Sequence, residues 1–202
     1  MSTIYEQSGR TQQKQRTRSA LVAAARGLMA EGVAAPTVDA AAAAASVSRT
    51  TAYRYFPNQA ALLIAAHPET TIISLLPPDA GNDPVQRLRI VVAAFTRLII
   101  DTEAQQRTML RLSLSENPGD LPLRKGRAIS WFEDALEPLR AELGNAALHR
   151  LAIAIRSAVG IEALVWLTDV AGLTRDQAAD LMQWTALSQL HHAMSSPAGH
   201  GR

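Results

Sequence analysis

Cysteine is absent from the 202 residues, which excludes disulfides, thiolate metal ligands and cysteine nucleophiles and makes a reducing, cytoplasmic setting the expectation. Aromatic residues are scarce, at 4%, and no segment sustains the period-two alternation of a half-buried strand. The first twenty residues hold no apolar run of the kind a secretory signal needs, so none is expected. The longest apolar run, Ala158 to Leu167, is interrupted by Glu162 and is about half of the roughly 20 residues a bilayer crossing requires, so no membrane span is expected. No Walker loop, GxGxxG, HExxH or GxSxG is found, so neither an enzyme nor a cofactor is expected. His191 and His192 are adjacent and point to different faces of a helix, so no metal site is expected. Glu133 and Asp134 are likewise adjacent, which gives no opposed acid–base pair.

What the chain has in excess is alanine, at 37 of 202 positions, the residue with the best helix propensity. An all-α fold follows as the expectation. Residues 1–15 are polar and without periodicity and read as a flexible arm. A first helix is expected over Thr17–Glu31, with Leu21, Ala24, Ala25, Leu28 and Met29 on one face and Gly32 as its stop. Thr37 suits an N-cap for a short alanine-rich second helix, and Ser48 for a third over Arg49–Phe56, which Pro57 ends. Asn58 caps a fourth. After the proline-rich Leu75–Pro84, helices are expected over Val85–Asp101, Glu103–Leu114, Arg127–Leu143, Asn145–Val170 and Thr174–Met194. The breakers between them are Asn117-Pro118-Gly119, Pro122, Gly144 and Gly172. Thr174 and Gln177 have capping-box spacing.

Charge is nearly balanced overall, but residues 1–60 hold seven basic groups against three acidic, a net of +4. A basic first third either meets a polyanion, with nucleic acid the leading candidate, or is an asymmetry without a partner. Two short helices joined by a three-residue turn and flanked by basic residues have the layout of a helix-turn-helix reader. The second helix of such a unit enters the major groove end-on, so its first residues must be small or able to bond base edges. Here they are Ser48, Arg49, Thr50, Thr51, Ala52, Tyr53, Arg54, Tyr55 and Phe56. Arg49, Thr50 and Tyr53 share one face and Ala52 and Phe56 the other. The competing reading is a solvated surface helix with a tyrosine-rich packing face.

These residues also carry a family resemblance. Residues 18–63 resemble the DNA-binding domain of TetR-family transcriptional regulators through Arg18, Leu21, Ala24-Ala25, Leu28, Gly32, Thr37-Val38 and Ala45-Ser46-Val47-Ser48. The likeness continues through Thr50-Thr51-Ala52-Tyr53-Arg54-Tyr55-Phe56-Pro57-Asn58-Gln59 to Ala61-Leu62-Leu63. Three departures stand out: an alanine run replaces the usual Ile-Ala pair of the second helix, Ser46 the turn glycine, and Gln59 a lysine. The resemblance implies DNA contacts at Arg18, Thr37, Ser48, Arg49, Thr50, Thr51, Tyr53, Arg54, Tyr55 and Gln59, and weaker affinity for want of that lysine. Thr37 serves equally as a plain N-cap. Arg10, Lys14, Arg16 and Arg18 either follow the DNA backbone or only keep the arm soluble.

The resemblance further implies a homodimeric, effector-responsive regulator, most often a repressor, acting on an inverted-repeat operator. The expected organisation is an arm over 1–15, a helix-turn-helix domain over 16–66, a connector over 67–84, a ligand-binding and dimerisation domain over 85–194 and a tail over 195–202. A dimer interface is expected at Leu151, Ile155, Val159, Leu181, Trp184 and Leu187 on the two long C-terminal helices, unless these close the monomer's own core. Candidate contacts to a small-molecule effector are Phe95, Met109, Arg111, Trp131, Phe132, Glu162 and Trp166. The aromatic ones serve equally as core. Arg107 and Arg111 share a face that suits an anionic ligand, a solvated surface pair or an interdomain salt bridge, and Glu162 is a pocket acceptor, a cross-dimer partner or an exposed residue. The alternative function is a helical small-molecule-binding protein or enzyme whose first domain does not bind DNA.

Overall fold

Helix α1 (Thr3–Ala30) opens the first of two compact units in the computed structural model, which describes residues 3–66, 72–114 and 127–195. Among the described residues the first unit comprises 3–66 with 111–114, and the second 72–110 with 127–195. Among the described residues every regular element is a helix. The breakers expected at Asn117-Pro118-Gly119 and Pro122 lie outside the described residues, as do 67–71 of the connector and 196–202 of the tail.

In the first unit α1 is followed by α2 (Val38–Ala44), α3 (Arg49–Tyr55) and α4 (Gln59–Ala66). Their common core is Leu21, Ala25, Val38, Ala41, Ala42, Ala52, Phe56, Leu62 and Ala66. Small side chains let these short helices approach closely, and Phe56 fills the space that alanine leaves. Helix α1 begins at Thr3, well before the expected start at Thr17. The added segment is rich in Gln, Lys and Arg, which are good helix formers. Residues 11–16 carry no apolar periodicity because they bury nothing, all six being exposed. Periodicity reports burial, and a solvated helix has none to report.

The second unit contains α5 (Pro84–Asp101), the start of α6 (Glu103–Ser113), α7 (Arg127–Leu136), a 3₁₀ turn (Glu137–Leu139), α8 (Arg140–Ala158), α9 (Ile161–Val165), a π-helical turn (Trp166–Val170) and α10 (Arg175–Ser195). Leu88, Val92, Phe95 and Ile99 of α5 pack with Trp131 and Phe132 of α7, Leu148, Ala152 and Ile155 of α8, and Met182, Ala186 and Leu190 of α10. Gly144 interrupts α8 with φ of 75°, a left-handed conformation that glycine adopts without strain. That is where the sequence places a boundary. The capping box at the start of α10 is complete, since the Gln177 N–H donates to Thr174 Oγ1 (3.2 Å) and the Thr174 N–H to Gln177 Oε1 (2.9 Å).

The single helix expected over Asn145–Val170 is broken at Val159 and Gly160, both extended. Arg156 donates to the Val159 carbonyl at 3.1 Å, satisfying an acceptor that the helix no longer reaches. A Cβ at position 160 would meet the same guanidinium and the Glu162 carboxylate, the ends of two long side chains that can move aside. These breaks also bear on a stretch missed by counting uninterrupted apolar residues: Ala128–Val170 has the length and composition of a membrane crossing. It is divided at Gly144 and at Val159–Gly160, and it supplies much of the second core, from Ala128 to Leu167, although Ile153, Trp166 and Val170 are exposed.

Candidate nucleic-acid interface

Two caps set the geometry of α2 and α3. The Thr37 hydroxyl accepts from the Ala40 N–H (3.1 Å) and the Ser48 hydroxyl from the Thr51 N–H (3.2 Å), each satisfying one donor that a helix start leaves free. Ser48 also donates to Thr51 Oγ1 (2.9 Å). Between the helices, the Val47 N–H donates to Ala42 O and the Ser46 N–H to Ala43 O, the pattern of a Schellman C-cap. Ser46 sits at its left-handed position with φ of 54°. The following α4 is capped by Asn58, whose Oδ1 accepts from the Ala61 N–H (2.8 Å).

These caps fix which face α3 presents. Ala52 and Phe56 are buried and anchor it, while Arg49, Thr50, Tyr53 and Arg54 are exposed. Tyr55 is half-buried against the core, and Thr51 is half-buried beside its cap, so the outward surface is narrower than the sequence suggests. Arg18 lies over the Phe56 ring, 5.3 Å from its centroid, which holds a cation on the outside of the anchor. Arg49 Nη2 donates to Asp39 Oδ2 at 2.8 Å. A short helix, a capped turn and a second helix with an outward Arg, Thr and Tyr match what groove entry requires.

Residues 20–66 match the family model for bacterial regulatory proteins of the tetR family. The chain carries a TetR-family domain. The match supports a DNA-binding transcriptional regulator of the TetR type. No curated protein matches the chain.

Two departures of this TetR-family domain acquire a structural account. Ser46 keeps the backbone path that glycine would follow, at the strain of a left-handed residue with a Cβ. Gln59 turns its amide inward: Nε2 donates to the Ala35 carbonyl at 2.8 Å and approaches that of Pro36 at 3.5 Å. It thereby ties the start of α4 to the loop before α2. Sequence reasoning passed over this tie and two others, the Asp39–Arg49 pair and Arg26, whose Nε donates to the Ala66 carbonyl at the end of α4 (2.9 Å). For the first, the available signal was a pair of opposite charges flanking the turn.

In the second unit, three of the seven candidate effector contacts come together. Phe95 meets Trp131 and Phe132 edge-on, with ring centroids 5.8 and 5.7 Å apart. All three are buried, and Trp131 Nε1 donates to the Ile73 carbonyl (3.1 Å). Arg156, which the sequence reading overlooked, lies 5.3 Å from the Phe95 centroid and 3.4 Å from Glu162. Glu162 is exposed, so its carboxylate is not a buried group in need of rescue. Met109 is half-buried and Arg111 exposed. Trp166, expected inside, is 58% exposed because the break at Val159–Gly160 turns the following segment.

Arg107 is committed to carboxylates of the chain itself. It bonds Glu103 (2.7 Å) and both carboxylate oxygens of Asp169 (2.6 and 2.7 Å), while Arg175 also bonds Glu103. The network joins the starts of α6 and α10 to the π-helical turn. Burial raises the Glu103 pKa, but hydrogen bonds from Arg175 and Arg107 outweigh it and hold the group below its usual value. The hydrogen bond from Arg107 brings Asp169 down to about 2.

Of the residues expected at a dimer interface, Ile155 and Val159 are fully buried within the chain. They continue the inward stripe begun by Leu148 and Ala152, so no second copy can touch them. Leu151 and Leu187 are partly buried against the same core. Leu181 and Trp184 face outward, 38% and 66% exposed.

Proposed function

We propose that the chain is a cytoplasmic, homodimeric repressor that grips an inverted-repeat operator with two copies of α3 and releases it when a small-molecule effector binds the second unit. The observation that carries the reading is the outward face of α3, with Arg49, Thr50 and Tyr53 exposed in a TetR-family domain. One such face makes too few base contacts to single out an operator, whereas a two-fold pair doubles them and fixes their spacing at about 34–36 Å. Outward Leu181 and Trp184 on α10, with Ile153 of α8 also exposed, supply apolar surface for pairing. Thr37 and Arg18 are assigned to phosphates, Arg49 and Tyr53 to base edges. An effector lowers operator affinity by its differential binding to a state in which the two α3 helices are differently spaced. The test is selection of bound sequences from a random duplex pool. An enriched inverted repeat is the expected result, and no enrichment even at low salt would overturn the reading.

A further inference from the structure

We propose that Asp39 is the specificity-determining positioning residue of this interface: it orients the Arg49 guanidinium so that its remaining N–H donors are presented to a guanine. The inference rests on the DNA-binding reading above and deepens it.

Asp39 lies in the first turn of α2 and Arg49 is the first residue of α3, so the pair bridges the turn at the end that would enter the groove. The two carboxylate oxygens are not equivalent. Oδ1 is buried and has no hydrogen-bond partner among the described residues, whereas Oδ2 accepts from Arg49 Nη2 at 2.8 Å. The carboxylate is therefore turned in, and its outward oxygen is used by the arginine.

This pair is poorly suited to stabilising the fold. The side chains are 75% and 39% exposed, and solvated ion pairs contribute little. What the pair supplies is orientation of a long, otherwise free side chain, which reduces the ordering that binding requires. Once DNA covers the site and water leaves, the same pair strengthens. An arginine has five N–H donors in a planar fork, and one bond to Oδ2 leaves enough for a second, two-pronged contact. Guanine offers two adjacent acceptors, O6 and N7, on its major-groove edge; adenine sets a donor beside its N7 and blocks the second prong. The carboxylate also disfavours phosphate as the partner of Arg49, because it repels the backbone while leaving an uncharged base edge acceptable.

The experiment measures base preference at each half-site position and affinity for random duplex, with circular-dichroism melting as the fold control. The variants are Asp39→Ala, Asp39→Asn, Arg49→Ala, Arg49→Lys and the double alanine substitution. Asp39→Ala should lower the preference for guanine at one position per half-site by about ten-fold while raising affinity for random duplex by roughly two- to five-fold. Asp39→Asn removes the charge but keeps an acceptor for Arg49. It should show the same gain on random duplex yet hold the guanine preference within about two-fold. Arg49→Lys, with its charge but no fork, should lose the preference as Arg49→Ala does. In the Arg49→Ala background, Asp39→Ala should leave base preference unchanged. Retained preference in Asp39→Ala or Arg49→Lys, or an equal effect of Asp39→Ala without Arg49, overturns the assignment. A wild-type chain that enriches no sequence overturns the DNA-binding reading and this one together. An enriched repeat that keeps its guanine in Asp39→Ala overturns this one alone.

Discussion

The two units are built from different material. In the first, five of the nine buried core residues are alanine; in the second, five of twenty-two. Burying an alanine contributes far less than the about 1.5–3 kcal/mol of a Val, Leu, Ile, Phe or Met. The first unit therefore leans on few side chains, chiefly Leu21, Phe56 and Leu62, and on caps, while the second distributes its stability widely. A thin core holds the outward face of α3 with little bulk, and a larger core carries the exposed Leu181 and Trp184.

The sharpest way to break that contrast is Phe56→Ala. Removing a buried phenylalanine costs about 3–5 kcal/mol, which the alanine-rich core has few other large side chains to offset. Helix α3 should lose its anchor, and hydrogen exchange should show residues 3–66 opening while α5, α8 and α10 stay protected. Uniform loss of protection in both units would show that they melt as one.

Next in size is the effect of charge on α10. Trp184→Arg should yield monomers with unchanged helix content, since the residue is exposed in the single chain. An interface centred on this tryptophan should lose about 2–4 kcal/mol. Ile155→Asp, by contrast, buries an unpaired charge in the chain's own core and should unfold the second unit. Sedimentation and circular dichroism separate the two outcomes. A Trp184→Arg chain that stays dimeric at micromolar concentration removes α10 from the interface.

Much of the first unit was legible in the sequence because its information is local. Ser48 and Asn58 act within three residues of themselves, and the alternation of Ala52 and Phe56 with Arg49 and Tyr53 lies within about two helical turns. The Asp39–Arg49 and Gln59–Ala35 bonds join residues ten and twenty-four positions apart, and the sequence, even where it shows opposite charges flanking the turn, does not specify which distant groups the packing of α2 and α3 brings together. Ile155 and Val159 mark a different limit. Periodicity identifies an apolar stripe, but the stripe looks the same whether its partner is a neighbouring helix or a second copy. Trp166 was placed inside because one unbroken helix was assumed, and the extended pair at Val159–Gly160 redirects everything after it.

The acidic network gives the second unit a pH dependence of its own. Asp169 is held at about 2, below its ordinary 3.8, by its hydrogen bonds to Arg107, and Glu103 is shifted the same way. The unfolded chain binds these protons more readily, so the contribution is complete above the ordinary carboxylate range and disappears as pH falls from about 4 toward 2. Asp169→Asn should flatten the fall of the melting temperature across that window and lower its value near neutrality by the same amount, a modest one because an exposed pair is screened. Parallel curves for the two proteins would remove Asp169 from acid unfolding.

Gln59→Lys tests the departure at the start of α4. If the new ammonium reaches a phosphate, affinity rises across all sequences and the slope of log affinity against log salt steepens by about 1. An unchanged slope would mean that the lysine takes over the bond to the Ala35 carbonyl that Gln59 now makes.

The smallest effect is expected at Ser46. Its φ of 54° places a Cβ-bearing residue in the left-handed region, which costs roughly 1–2 kcal/mol, while both Schellman bonds, from Ser46 and Val47, are already made. Glycine relieves the strain without altering those bonds but restores freedom to the unfolded chain, which offsets part of the gain. Ser46→Gly should therefore stabilise the first unit by less than about 1 kcal/mol, and base preference should stay the same because the path from α2 to α3 is unchanged. Chemical denaturation followed by the fluorescence of Tyr53 and Tyr55 measures the first, and duplex selection the second. A destabilised variant would show that Ser46 is held by more than its backbone, and an altered base preference would show that the turn, as well as Arg49 and Asp39, sets how α3 meets the groove.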